Sequence, residues 1–90
     1  MIKKFFTIDY EGYVILHLDM ETIYISKNDV TTVDNIVNHI FDRLMITLDV
    51  NSLIPIAEKI FKNHNEIFKL NQNKRFLLFN GNSELINFYI

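Results

Sequence analysis

The amino-acid sequence predicts a small α/β domain in which a mixed β-sheet packs against helices. Three observations point to it. β-rich apolar runs follow one another near the start of the chain, two later segments repeat apolar residues at the three-and-four spacing of a helical face, and a short apolar run, Met45 to Leu53, lies between those segments. The expected order is β-β-(β)-α-β-α-β-α, folded as a single domain over residues 1–90.

Lys4 to Tyr10 (KFFTIDY) and Tyr13 to Asp19 (YVILHLD) read as strands joined by Glu11-Gly12, a spacing that suits a two-residue hairpin turn with glycine at a positive-φ position. Pairing Tyr10 with Tyr13 sets Ile8 opposite Ile15 and Phe6 opposite His17 on one side, and Thr7 opposite Leu16 and Phe5 opposite Leu18 on the other. Both sides are then largely apolar. Such a sheet is either covered by helices on both faces or keeps one face for another protein. Thr22 to Ser26 (TIYIS) alternates and extends the sheet as a short third strand.

Val33, Ile36, Val37, Ile40, Phe41 and Leu44 form one helical stripe, so a helix is expected from about Thr32 to Leu44. Thr31 or Thr32 is a suitable N-cap, and Asp29 and Asp34 place negative charge near the positive end of the helix. Met45 to Asp49 then reads as the central strand. Ser52 caps a second helix whose first turn accommodates Pro55, and Leu53, Ile56, Ala57, Ile60, Phe61, His64, Ile67 and Phe68 form its stripe as far as about Asn71. The alternation of strand and helix implies right-handed crossovers. Lys74 to Phe79 (KRFLLF) is read as another strand, followed by a turn at Asn80-Gly81-Asn82. For Ser83 to Ile90 a hairpin strand would pair Glu84 with Leu77 and Ser83 with Leu78, a poor match of faces; a short helix capped by Ser83 and presenting Leu85, Ile86, Tyr89 and Ile90 is preferred.

Composition bounds the function. Apolar residues make up 49% of the 90 residues and charged residues 22%, a soluble globular balance. A domain of this size buries only about 60–65% of its unfolded surface, so every apolar segment is needed. With no cysteine, neither a disulfide nor a thiolate zinc site supplements the core. No apolar run approaches the roughly 18 residues of a membrane span, and the first residues lack the apolar centre of a signal peptide; a cytoplasmic protein is expected. A formal net charge of −2 argues against a nucleic-acid partner. Residues 1–50 carry four Lys/Arg against eight Asp/Glu and residues 51–90 carry five against three, a polarity that reflects differing solvated faces or steers a partner.

No catalytic, metal or cofactor site is expected. His17, His39 and His64 lack metal-ligand spacing and any partnered motif. Asp9, Glu11, Asp19 and Glu21 gather at the hairpin ends, but acid–base chemistry needs a cleft and so short a chain leaves little volume for one. With two glycines in all, a glycine-rich phosphate loop is excluded. Phe76, Phe79 and Phe88 near Lys74 and Arg75 are better read as core than as an RNA platform. Aromatic residues make up 13% of the chain, with tyrosines at 10, 13, 24 and 89, more amphipathic surface than one thin core absorbs; a protein partner or a second copy of the chain follows.

The order of elements, the EGYVILHL arm, the ITLD segment running straight into a helix, and RFLLFNGNSELINF together resemble the STAS domain, the sulfate-transporter and anti-sigma-factor-antagonist family. The resemblance implies a small regulatory domain that acts by occupying a partner protein. In switchable members a loop close to Asp-Ser-Ser-Gly opens the second helix and one serine is phosphorylated by a partner kinase. The matching stretch is Asp49-Val50-Asn51-Ser52, in which Asn51 stands at the phosphorylated serine and Ser52 at the glycine, so the phosphoserine motif is not intact. Independently of the family, the crevice beyond strand carboxyl ends, at helix amino termini, attracts acceptors and anions. Asp49, Asn51, Ser52 and Leu53 are therefore the candidate partner-docking residues, the simpler use of Ser52 and Asp49 being to cap the helix. The expectation is a non-enzymatic protein–protein interaction module resembling an anti-sigma factor antagonist. The alternative is a small phage-type inhibitor that blocks a host enzyme through its acidic amino-terminal half.

Overall fold

The computed structural model describes residues 4–44, 49–81 and 85–90. Strands β1 (Phe5–Ile8), β2 (Val14–His17), β3 (Thr22–Ile25) and β4 (Ile86–Tyr89) form one sheet in the order β3-β2-β1-β4, with every pairing antiparallel. Helices α1 (Val33–Arg43) and α2 (Val50–Lys69) pack together on one face of the sheet, and the short α3 (Gln72–Leu78) follows. This is the expected small α/β class, with strands and helices in roughly the expected order.

The hairpin register differs from expectation by one residue, and the difference decides which side chains are inside. Phe6 pairs with Leu16 and Ile8 with Val14. The turn holds three residues rather than two: Gly12 N–H donates to the Asp9 carbonyl, Gly12 lies at φ +99°, and Asp9 N–H donates to the Tyr13 carbonyl, a type I turn closed by a glycine bulge. The Asp9 carboxylate fixes it by accepting from the N–H groups of Glu11 and Tyr13, each at 2.9 Å. Because side chains alternate with period two, this register puts Phe6, Ile8, Val14, Leu16, Ile23 and Ile25 together on the helix-covered face, none more than 2% exposed. The two-residue turn would have set Phe6 against His17 and spread apolar side chains over both faces.

Helix α1 begins as expected, with the Thr32 hydroxyl accepting from Asn35 N–H at 3.1 Å, and buries Ile36, Val37 and Ile40. Helix α2 starts earlier than expected: its N-cap is Asp49, not Ser52, and it ends at Lys69 rather than near Asn71. Pro55 is consequently its sixth residue, past the first turn, and the N–H it lacks leaves the Asn51 carbonyl without its usual helical donor. Residues 45–48 of the expected central strand, Met45 to Asp49, lie outside the described residues.

Two elements near the carboxyl end exchange type. Lys74 to Phe79, expected as a strand, is mostly helix α3. Asn71 caps it by accepting from Lys74 N–H at 2.8 Å, and Asn80 at φ 56° with Gly81 at φ 75° close it, Asn80 N–H donating to the Leu77 carbonyl and Gly81 N–H to the Phe76 carbonyl. That is a Schellman C-cap, so the Asn-Gly pair ends a helix here instead of turning a hairpin. Phe79 is buried, edge-on to Tyr10 at 5.7 Å, while the Arg75 guanidinium lies 4.9 Å over Phe68 and 5.3 Å over Tyr10. The tail, expected as a helix, contains strand β4; its proposed cap, Ser83, lies outside the described residues. β4 pairs with β1 from the other end of the chain, so the face mismatch with Leu77 and Leu78 never arises.

Candidate docking surface

The face of the sheet that no described helix covers, called the helix-free face, collects the alternate residues of each strand. Phe5 and Thr7 come from β1, Ile15 and His17 from β2, Thr22 and Tyr24 from β3, Asn87 and Tyr89 from β4. The His17 ring stacks on Phe5 at 4.4 Å, and Tyr89 leans on Phe5 at 5.8 Å. Tyr24 is 68% exposed and Tyr89 58%, on the two edge strands. At the centre, Thr7 is 3% exposed and its hydroxyl finds no hydrogen-bond partner among the described residues. None of the eight strand positions is an Asp, Glu, Lys or Arg. Acidic residues instead flank the strands, Asp9 and Glu11 in one turn and Asp19 and Glu21 in the other. A broad amphipathic surface with an acidic margin results. It suits contact with protein side chains, and its strand positions bring no Lys or Arg to a phosphate backbone.

The residues singled out at the start of α2 do simpler things. Asp49 accepts from Asn51 N–H at 3.2 Å as the N-cap, Asn51 and Ser52 are exposed in the first turn, and Ser52 N–H donates to the Asp49 carbonyl. Leu53 is 0% exposed and belongs to the core cluster, so it anchors the helix and offers no contact. No parallel strand pair is present among the described residues to form the expected crevice behind this turn.

The histidines that carried no motif turn out to join elements. His39 Nε2 donates to the Tyr24 carbonyl at 2.9 Å, while its Nδ1 lies 3.5 Å from the Asp29 carboxylate, tying α1 to the β3 margin. His64 Nε2 donates to the Gly12 carbonyl at 2.9 Å and its ring stacks on Phe68 at 4.6 Å, tying α2 to the hairpin turn. Burial pushes the His64 pKa below its ordinary value, partly opposed by the bond to Gly12. Among the described residues no three His, Asp or Glu side chains are grouped to hold a metal ion, and no helix is long and apolar enough to cross a membrane.

The sequence reading missed the composition of the helix-free face, because it depends on the hairpin register. The local signal that could have found it is Asp9 followed by Gly12, which together favour the three-residue bulged turn. Compared with protein-family models, with curated proteins and with solved structures, the chain matches none.

Proposed function

We propose that this chain is a non-enzymatic protein–protein interaction module that binds its partner through the helix-free face of the sheet. The observation that carries the reading is the exposure of Tyr24 and Tyr89 on a face that has no charged strand residue and no described helix against it. Aromatic and β-branched side chains on a rigid sheet add contact area at little entropic cost, since tyrosine has few rotatable bonds and the backbone is already ordered. The STAS resemblance would make the role regulatory, in the manner of an anti-sigma factor antagonist. It carries less weight than the sheet face, because two of the elements it relied on, Lys74 to Phe79 and the tail, exchange type. The acidic turns at the strand ends favour, as a second reading, an inhibitor that steers onto a basic enzyme surface.

Affinity capture from the native host with the wild-type chain and with Ile15→Glu is the test. A specific protein retained by the first and lost with the second supports the reading. Retention by both, or binding of single-stranded RNA to the wild type, overturns it. A captured kinase-like anti-sigma factor favours regulation; a captured nuclease or other enzyme whose activity falls on binding favours inhibition.

A further inference from the structure

Of the chain's asparagines only Asn80 is followed by a glycine. That pair is chemically labile, because a glycine amide nitrogen has no neighbouring side chain to crowd its approach to the asparagine Cγ. Asn80 is exposed, at φ 56°, and lies just past Phe79, the last residue of the α3 cap. There the Gly81 N–H donates to the Phe76 carbonyl at 2.8 Å and the Asn80 N–H to the Leu77 carbonyl at 3.0 Å. The nitrogen able to attack Asn80 is therefore also the one that closes the helix. Phe79, directly before the pair, is buried edge-on to Tyr10.

We propose that Asn80 is a site of spontaneous deamidation, gated by opening of the α3 cap, and that the reaction releases the end of that helix. The step balances with water as the only co-reactant. A solvent base takes the Gly81 N–H proton, the Gly81 nitrogen bonds to Asn80 Cγ, the Cγ–Nδ2 bond breaks, and ammonia leaves with a proton returned from solvent. Water then opens the five-membered imide at either carbonyl, giving aspartate or isoaspartate. Nothing is oxidised or reduced.

The cap holds the reaction back in two ways. Its bond to the Phe76 carbonyl shields the Gly81 N–H from base, and bringing the nitrogen to face Cγ turns the Asn80–Gly81 peptide plane and breaks that bond. Once the ring has closed, the cap cannot re-form as it was. The imide nitrogen has no hydrogen to give to Phe76, isoaspartate adds a methylene to the main chain, and both products place a carboxylate at the negative end of α3. The helix then loosens its hold on Phe79 and on Arg75, which stacks between Phe68 and Tyr10. The helix-free face of the sheet takes no part in this chemistry.

Timed incubation of the full chain at neutral to alkaline pH, followed by peptide mapping with mass spectrometry, is the test. Asn80 is expected to lose its amide before any other asparagine, faster as pH rises, and at least about tenfold faster in guanidinium chloride than in the folded chain. Asn71→Ala removes the acceptor of the Lys74 N–H at the start of α3, at the other end of the helix from the reacting atoms, and is expected to raise the folded-chain rate about fivefold. In the deamidated chain, separated by anion exchange, the Phe79 amide, which donates to the Arg75 carbonyl, is expected to exchange its hydrogen at least about tenfold faster. Another asparagine reacting first, equal rates in the folded and unfolded chains, an Asn71→Ala rate equal to wild type, or unchanged Phe79 exchange after deamidation overturns the proposal. If Asn71→Ala does not fold, hydrogen exchange of the wild type decides: a Gly81 amide that exchanges as fast as in an unstructured peptide overturns it.

Discussion

Replacing Gly12 by alanine tests the hairpin turn on which the whole inside–outside assignment rests. Two costs arise there. At φ +99° the backbone lies beyond the left-handed minimum near +57°, and an L side chain there is strained by about 1–3 kcal/mol. A Cβ would also meet His64 Nε2, Lys27 Cβ and Phe68 Cζ, each at 3.2 Å, and the first and last belong to rings that stack on each other. Relieving those contacts means lengthening the His64 bond to the Gly12 carbonyl, worth about 1 kcal/mol. The sum is roughly 2–4 kcal/mol, against a total stability on the order of 5–13 kcal/mol for a domain of this length. Gly81 is the internal control. It too has positive φ, +75°, but a Cβ there meets only the half-exposed Phe76 ring, at 3.3 and 3.4 Å, so Gly81→Ala should cost only about 1 kcal/mol. Urea denaturation followed by circular dichroism measures both. Equal costs, or a Gly12→Ala loss below about 1 kcal/mol, would refute the bulged turn locked against α2.

Stability should also depend on pH through His64. Its pKa is lowered in the fold, so the unfolded chain takes up the proton first; the contribution is complete above the ordinary value of 6.5 and is lost as pH falls below it. The urea midpoint should drop between pH 7 and 5, and His64→Gln should flatten that drop. Phe79→Ala should cost about 3–5 kcal/mol and Leu77→Ala, at a side chain 73% exposed, less than about 0.5 kcal/mol, as measured by chemical denaturation. Similar losses at both sites would contradict the placement of α3. Asp49→Ala should cost about 1 kcal/mol as a lost cap, and Asn51→Ala and Ser52→Ala almost nothing. If the three together abolish capture of a partner that Ile15→Glu leaves bound, the docking surface is the start of α2 and not the sheet.

Local chemistry by itself determined the elements whose signal is carried within one or two turns of chain. The stripe from Val33 to Leu44 with its Thr32 cap, the stripe from Leu53 to Phe68, and the β-character of the first three strands could all be read directly, because spacing and capping act between near neighbours. Tertiary structure decided between alternatives that local chemistry left open. KRFLLF is apolar enough for a strand; local caps at Asn71 and Asn80-Gly81 also allow a helix, and the buried place of Phe79 against Tyr10 and the stacked one of Arg75 between Phe68 and Tyr10 select it. The tail is a strand because β1, some 80 residues earlier, presents a free edge in matching register. The helix-free face needed one more thing, a turn of three residues where two also fitted the sequence. With period-two alternation, that single residue decides whether Phe5, Ile15, Tyr24 and Tyr89 share the outer surface or are divided between both.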